Sequence, residues 1–242
     1  MDTASKSGTL YLIPCPIADE TAPWDVLPAA DRAVIDALDY FIVENTRSAR
    51  RFLSRAGVAR PIDTLEFREL NEHVTDARAV EELVRPLAEG RSAGVISEAG
   101  VPGVADPGAL VVAACHRRGI RAVPPVGPSS ILLALMASGL NGQSFAFNGY
   151  LPVKPAERVR AIRFFEHRAR TERQSQLFIE APYRNAKLAE ELLRSCAPDT
   201  LLTIAVDVTA PGETIRTRTV RAWREGGLPE LNKRPAIFIL GI

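Results

Sequence analysis

The chain predicts an α/β protein of two lobes, on three observations. Short β-branched or apolar runs alternate with longer helix-period stretches from end to end, the pattern of βαβ units around a mostly parallel sheet. A Pro/Gly cluster, Pro124-Pro125-Val126-Gly127-Pro128, divides the chain near its middle, as domain junctions do. Beyond it the rhythm shifts toward strands with little helix between them, which predicts a mixed sheet. The lobes are expected over residues 1–126 and 127–242.

An apolar run predicts the first strand over residues 9–14, and helix-period apolar residues predict a helix over 26–38. A second strand is expected at 40–44, then a helix at 46–56 with Arg on one face, a short strand at 62–67 and a helix at 75–89. The run at 92–97 reads as a buried strand, followed after a Gly/Pro loop by a helix at 110–118 and a strand at 121–126. Right-handed crossovers join such units into a parallel sheet. In the second lobe, helices are expected at 129–138, 155–170 and 183–194, with strands at 144–150 and 176–180. Three further strands, 201–209, 214–220 and 235–240, predict antiparallel pairing.

Of the 242 residues, 46 % are hydrophobic and 24 % charged, the balance of a globular protein with a sizeable core. Thirty basic against 29 acidic residues leave a net charge of +1, which removes bulk charge as a reason to bind a polyanion. Only four of the basic residues are Lys, so 26 are Arg. Cys15, Cys115 and Cys196 are odd in number and far apart. That spacing fits neither a disulfide framework nor a zinc pair, and points to a reducing cytoplasm. His73, His116 and His167 have no second ligand at helical spacing, so no metal is expected. The N-terminal residues lack a basic stretch followed by a long apolar one, and the longest apolar run, 131–137, is far short of a membrane span. Neither export nor membrane anchoring is expected.

The stretch richest in chemistry is SEAGVPGVADPG, residues 97–108, set between a strand and a helix. Ligands of open α/β sheets bind at such carboxyl ends of strands. Three Gly and two Pro permit positive φ and close backbone approach while excluding regular structure. Glu98 and Asp106 frame the loop, no basic residue lies in it, and its glycines do not make GxGxxG. An acidic loop suits a cation or sugar hydroxyls better than a phosphate. The purely structural reading makes Asp106 a helix N-cap with Pro107 as the first helical residue. Residues 14–19, 44–47 and 127–130 also follow strands. In a parallel sheet these loops converge on one edge, and a cleft between lobes is the expected binding site. Ser129 and Ser130 also suit a helix cap.

The segments GTLYLIPCPIAD, VENTRSARRFL, VISEAGVPGVADPG, VPPVGPSSILLALMASGL and NGYLPVKP, followed by FIEAPYRN, resemble in order the signature segments of the tetrapyrrole methylase-like methyltransferases that depend on S-adenosylmethionine. They are most similar to the small-subunit ribosomal RNA 2′-O-(cytidine) methyltransferase I branch. The resemblance implies two α/β lobes of the tetrapyrrole methylase type, S-adenosyl-L-methionine folded in the cleft between them, and a homodimer. It places Pro16 in the first cofactor-side loop, Ser97, Glu98, Gly100, Val104, Ala105 and Asp106 in the second, and Ser129 and Ser130 in the third. Leu151, Pro235, Ala236 and Ile237 fall where such enzymes line the adenine pocket, with Val104, Leu151 and Ile237 as its apolar slot. The chain departs from its relatives at Asn45 and Glu98, where Asp is usual, and at Ala18-Asp19, where Gly-Asn is usual. After Ile204 the segment AVDVTAPGETIRTRTVRAW replaces one rich in Arg and Glu.

Methyl transfer is an in-line displacement, so the protein chiefly brings nucleophile and methyl together and excludes water. A ribose hydroxyl also needs a base or a strong positioning field. Glu44, Arg47 and His73 are the candidates, with Glu72 beside His73, although a lone His is more often structural. Arg47, Arg51 and Arg55 fall at i, i+4 and i+8, one stripe for contact with ribosomal RNA or the small ribosomal subunit. Changing Arg51 and Arg55 to Glu is expected to abolish RNA binding with cofactor affinity intact. A second cluster between Lys154 and Arg173 holds seven basic residues against Glu157, Glu166 and Glu172. Three readings follow: an RNA ribose methyltransferase, a methyltransferase of a tetrapyrrole or other small molecule, and a non-catalytic cofactor-binding or ribosome-associated module. The apolar helix ILLALMASGL contributes either to a dimer or to the core.

Overall fold

A computed structural model describes residues 7–70 and 76–242. The chain divides between Ser129 and Ser130 into two compact units, three residues beyond the expected junction.

The first unit runs β1 (Thr9–Ile13), α1 (Pro23–Val26), α2 (Ala30–Asp36), β2 (Tyr40–Val43), α3 (Thr46–Ala56), β3 (Glu66–Glu69), α4 (Ala77–Ala88), β4 (Ala93–Ile96), α5 (Gly108–Arg117) and β5 (Arg121–Val123). Its sheet has the order β3-β2-β4-β1-β5, parallel throughout. Both faces are covered, so the central strands are apolar without alternation. In β2, Tyr40 and Ile42 pack with α4 and α5, while Phe41 and Val43 pack with α2 and α3. β1 and β4 are neighbours, but the chain leaves them toward opposite faces, into α1 and α2 from one and into α5 from the other. That divergence opens a crevice at their carboxyl ends, the switch point where open α/β sheets bind ligands.

The second unit runs α6 (Ser130–Ser138), β6 (Phe145–Tyr150), α7 (Pro155–Glu172), β7 (Ser175–Ile179), α8 (Asn185–Ser195), β8 (Leu201–Val206), β9 (Thr214–Thr219), α9 (Val220–Gly226) and β10 (Ala236–Gly241). The strand order is β6-β7-β10-β8-β9, with β6 and β7 parallel and the other pairs antiparallel. Helices α7, α8 and α9 share one core, built on Phe178, Leu192, Trp223 and Phe238, and α6 packs on the other face through Ala134 and Leu135.

Prolines account for two departures from the expected elements. The helix expected over 26–38 begins only at Ala30, as α2, and is preceded by the separate short α1 that ends at Val26, because Pro28 holds Leu27 extended at φ −101°, ψ 139°. β5 stops at Val123 instead of running to residue 126, since Pro124 and Pro125 have no N–H for a ladder. The strand expected at 62–67 is a 3-10 turn, Ile62–Thr64, followed by β3. The strand expected to reach residue 209 ends at Val206, where Asp207 and Thr209 take left-handed φ of 49° and 74°. The little helix among the closing strands is α9, between β9 and β10, started by the Thr219 hydroxyl accepting from the Ala222 N–H at 3.1 Å.

The three cysteines are buried thiols. Burial pushes Cys115 up to about 11 and Cys196 up to about 12, and raises Cys15 further, so none supplies a thiolate near neutrality. Among the described residues no group of His, Cys, Asp and Glu is placed to hold a metal, and no helix is long and apolar enough to cross a membrane. The segment FIEAPYRN brings a buried ionic cluster into the second unit. Arg158 of α7 pairs with Glu191 of α8, its Nη2 donating at 3.0 Å, and approaches Glu180 to 4.0 Å. Glu180 also accepts from Arg184 Nη2 at 2.7 Å. Arg158→Met leaves the carboxylates short of their cation. Urea unfolding should show a loss of about 3–5 kcal/mol, the usual cost of breaking a buried pair from one side.

Candidate active site

Three loops at the carboxyl edge of the parallel sheet, after β1, β2 and β4, are tied to one another by backbone and carboxylate bonds, and the loop after β5 packs against them. After β1, the Cys15 N–H donates to the Gly100 carbonyl at 2.8 Å, an isolated antiparallel bridge joining the β1 and β4 loops. Gly100 makes the bridge possible by taking φ of 72°. The loop after β5 closes on the same place: a Cβ on Gly127 would lie 2.1 Å from Cβ of Pro14. After β2, Asn45 caps α3 by accepting from the Ser48 N–H at 3.0 Å. Glu44 accepts from the Glu98 N–H at 3.3 Å, and the Ser48 hydroxyl reaches the Glu98 carboxylate at 3.5 Å. The Thr46 N–H donates to Glu69 at 2.9 Å and holds that carboxyl below its ordinary range.

The loop after β4 is braced from within. The Asp106 carboxylate accepts from the Gly103 N–H with both oxygens at 2.9 Å and from the Gly108 N–H at 2.7 Å. Asp106 is therefore a structural acceptor at the start of α5, whose N-cap is Pro107, with Gly108 as its first residue. The Ser97 hydroxyl is buried and turned to the Ala99 carbonyl at 3.3 Å. Ala105 holds φ of 64° although it carries a Cβ, the kind of backbone strain that surrounding contacts must enforce. Glu98 and Val104 are exposed, and Pro16 is half-buried. Pro16, Asp19, Ser48, Arg51, Arg55 and Glu98 line one small pocket, and Glu44, Ser97 and Asp106 lie along a second.

The arginine stripe on α3 serves this edge. Arg55 donates to the Asp19 carbonyl at 2.6 Å and to the Thr21 carbonyl at 2.8 Å, and Arg51 pairs with the Asp19 carboxylate at 3.4 Å. Arg47, Arg51 and Arg55 lie on one face of α3 as expected and are exposed, and two of them also reach the β1 loop. Arg47 is exposed and has no hydrogen-bond or ion-pair partner among the described residues. Glu72 and His73 lie outside the described residues.

The remaining expected positions lie at the unit boundary or in the second unit. Ser129 and Ser130 are half-buried where α6 begins. Leu151 is only 4 % exposed and packs in the core under α7 and α8. Ile237 packs under α6, and Ala236 is buried in β10. Leu151 and Ile237 thus both belong to packed clusters of the second unit, whereas Val104 is exposed on the β4–α5 loop. Pro235 is exposed, and its carbonyl accepts from the Asp207 N–H at 3.0 Å. Two elements of the site were not foreseen: Ser48, and Arg55 as the clamp on the β1 loop. The Asn45-x-x-Ser48 spacing was a visible capping signal, whereas nothing local indicated the target of Arg55.

Loops of this kind, rich in carboxylate, hydroxyl and left-handed backbone at the carboxyl edge of a parallel sheet, are where α/β proteins hold small polar ligands. The comparisons give the family. A profile of the Tetrapyrrole (Corrin/Porphyrin) Methylases matches residues 17–222, and the chain belongs to that family. It is 30 % identical over 236 residues to Ribosomal RNA small subunit methyltransferase I of Xylella fastidiosa (strain Temecula1), covering 98 % of this chain and 81 % of that protein. The like-named protein of Mesorhizobium japonicum is 34 % identical over 88 % of this chain and 68 % of its own length. Among solved structures, the methyltransferase CobJ aligns with a TM-score of 0.63 at 21 % identity over 97 % of this chain and 94 % of that one. Uroporphyrin-III C-methyl transferase from Thermus thermophilus, complexed with S-adenosyl homocysteine, aligns with a TM-score of 0.54 at 17 % identity over 97 % of each chain.

Asp106→Ala removes the acceptor that two loop N–H groups share. A loss of about 1–3 kcal/mol is expected in urea unfolding, with the β4–α5 loop amides exchanging faster with solvent deuterium.

Proposed function

We propose that this chain is a methyltransferase that transfers the methyl of S-adenosyl-L-methionine to a ribose 2′-oxygen of small-subunit ribosomal RNA. The observation that carries this reading is the extent of the match: 236 aligned residues, nearly the whole chain, against 81 % of a ribosomal RNA small subunit methyltransferase I. The donor set at the sheet edge fits the cofactor, because Glu98 and Ser48 suit ribose hydroxyls or a sulfonium cation, and no free basic group competes in the β4–α5 loop. When bound, the cofactor supplies a methyl carbon open to in-line displacement. The chain's part is positional. The Glu98 backbone is fixed by Glu44, the β1 loop is held by Arg55, and the Cys15–Gly100 bridge keeps the two loops in register. Glu44 is thereby assigned a positioning role, and Arg47, free at the first turn of α3, the role of meeting acceptor charge. An acceptor of this kind places the enzyme in the cytoplasm with ribosome assembly.

A homodimer belongs to the same reading. On α6, Ala134 and Leu135 are buried, while Leu132 and Met136, one turn apart, are 49 % and 78 % exposed. An apolar stripe of this sort suits a second copy of the chain. Light scattering should report a dimer that Met136→Glu converts to a monomer; a monomeric wild type at working concentration refutes it.

Labelled methyl from the cofactor should enter small-subunit ribosomal RNA from cells lacking the modification, on the 2′-oxygen. No incorporation by folded enzyme that binds S-adenosylhomocysteine would sink the reading. Arg55→Ala should raise the Kd for S-adenosylhomocysteine about tenfold, or ~1.4 kcal/mol, with RNA affinity unchanged. Calorimetry and RNA titration together check this, and the outcome is the reverse of the one expected from the sequence alone.

A further inference from the structure

The exposed face of α7 carries positive charge that the rest of the structure does not neutralise. Of the seven basic residues between Lys154 and Arg173, four are engaged. Lys154 pairs with Glu157 at 3.4 Å, Arg158 is buried with Glu191, Arg168 pairs with Glu172 at 2.9 Å and Arg170 with Asp199 at 2.7 Å. The acidic side chains of the helix are occupied as well, since Glu166 accepts from the Ala197 N–H at 2.7 Å and from the Thr200 hydroxyl. Arg160 and Arg163 have no side-chain hydrogen bond or ion pair among the described residues, and both are exposed.

Arg160 stands one turn before an exposed aromatic ring, Phe164, and Arg163 lies on the same exposed side of the helix. Phe164 stands four residues after Arg160 and next to Arg163, on the side of the helix opposite the buried Arg158, Ile162 and Ala169. It is 56 % exposed, but it is not loose. Its ring meets the edge of Phe165 at 5.3 Å and 69°, and Phe165 in turn meets the fully buried Phe178 at 5.2 Å and 60°. An exposed ring backed by Phe165, which itself rests on Phe178, with unneutralised Arg160 one turn away and Arg163 on the same exposed side, is a stacking platform with phosphate partners beside it. Single-stranded nucleic acid is bound in this way, by bases on aromatic faces and phosphates on Arg.

We propose that the Arg160–Arg163–Phe164 face of α7 docks a single-stranded segment of the RNA acceptor, one base stacking on Phe164. The inference rests on the ribosomal RNA reading above and gives that reading a docking surface. A protein partner on the same face is the competing outcome of the test.

The probe is a fluorescein-labelled single-stranded RNA of about 16 nucleotides, within ordinary single-strand site sizes, titrated against the full chain by anisotropy at several salt concentrations. Phe164→Ala should weaken binding about tenfold, and Phe164→Trp should restore it. Arg160→Gln with Arg163→Gln should lower the slope of log K against log salt by about 1.4, two phosphate contacts' worth. In the methyl-transfer assay the same variants should raise KM for RNA with kcat unchanged, and S-adenosylhomocysteine affinity should stay at the wild-type value. If the wild type binds RNA and all these variants bind it equally well, the surface is wrong while the methyltransferase reading stands. If the variants alter only self-association or a protein contact, the surface is likewise not an RNA site. Wild-type enzyme that binds S-adenosylhomocysteine but neither this RNA nor the methyl-deficient small subunit overturns both the surface and the RNA acceptor.

Discussion

The site depends on one topological constraint: β1 and β4 are parallel neighbours whose chains leave toward opposite faces of the sheet. The two exits must diverge, and the opening is held at a fixed width by the backbone bond from Cys15 to Gly100. Residues around it serve that opening. Gly127 lies against Pro14, where any side chain would collide. Asp106 folds the far part of the β4 loop back onto the start of α5, and Arg55 holds the far part of the β1 loop against α3. Glu44 links the β2 end to Glu98. The acidic and hydroxyl groups that face outward are therefore presented by loops already fixed in place, which lowers the ordering cost of binding a ligand there.

Part of the arginine excess is used in pairing. Arg91 bridges Asp39 and Glu66, Arg117 and Arg118 share Glu81, and Arg234 holds Asp207. The planar fork of Arg makes such double contacts where Lys would make one. Near-neutral net charge is then the sum of many local pairs and says little about what the surface binds. What matters is which guanidinium groups are left over, and those at Arg160 and Arg163 stand beside a supported aromatic ring.

Much of this was legible in the chain. The central strands are apolar runs because both faces of the sheet are buried, and the glycines and prolines of residues 97–108 mark an irregular loop between a strand and a helix. Elements set by local chemistry were also readable once Pro28 and Pro124 are given their full weight as breakers. The partners of long side chains were not. Arg55 at i+4 from Arg51 reads as a charge stripe, and only the fold brings the Asp19 and Thr21 carbonyls within its reach. Leu151 and Ile237 read as apolar, and only the fold shows which clusters they join, Leu151 with α7 and α8 and Ile237 with α6. Helix α9 was hidden because it has only seven residues, and its burial rests on Val220 and Trp223.

The most direct test of the account is a crystal structure with S-adenosylhomocysteine bound. The ligand's ribose is expected within hydrogen-bonding distance of the Glu98 carboxylate and its sulfur over the Cys15–Gly100 bridge, with the β1 and β4 loops unmoved. A ligand bound away from the carboxyl ends of β1 and β4, or one that requires the Cys15–Gly100 bond to break, contradicts it.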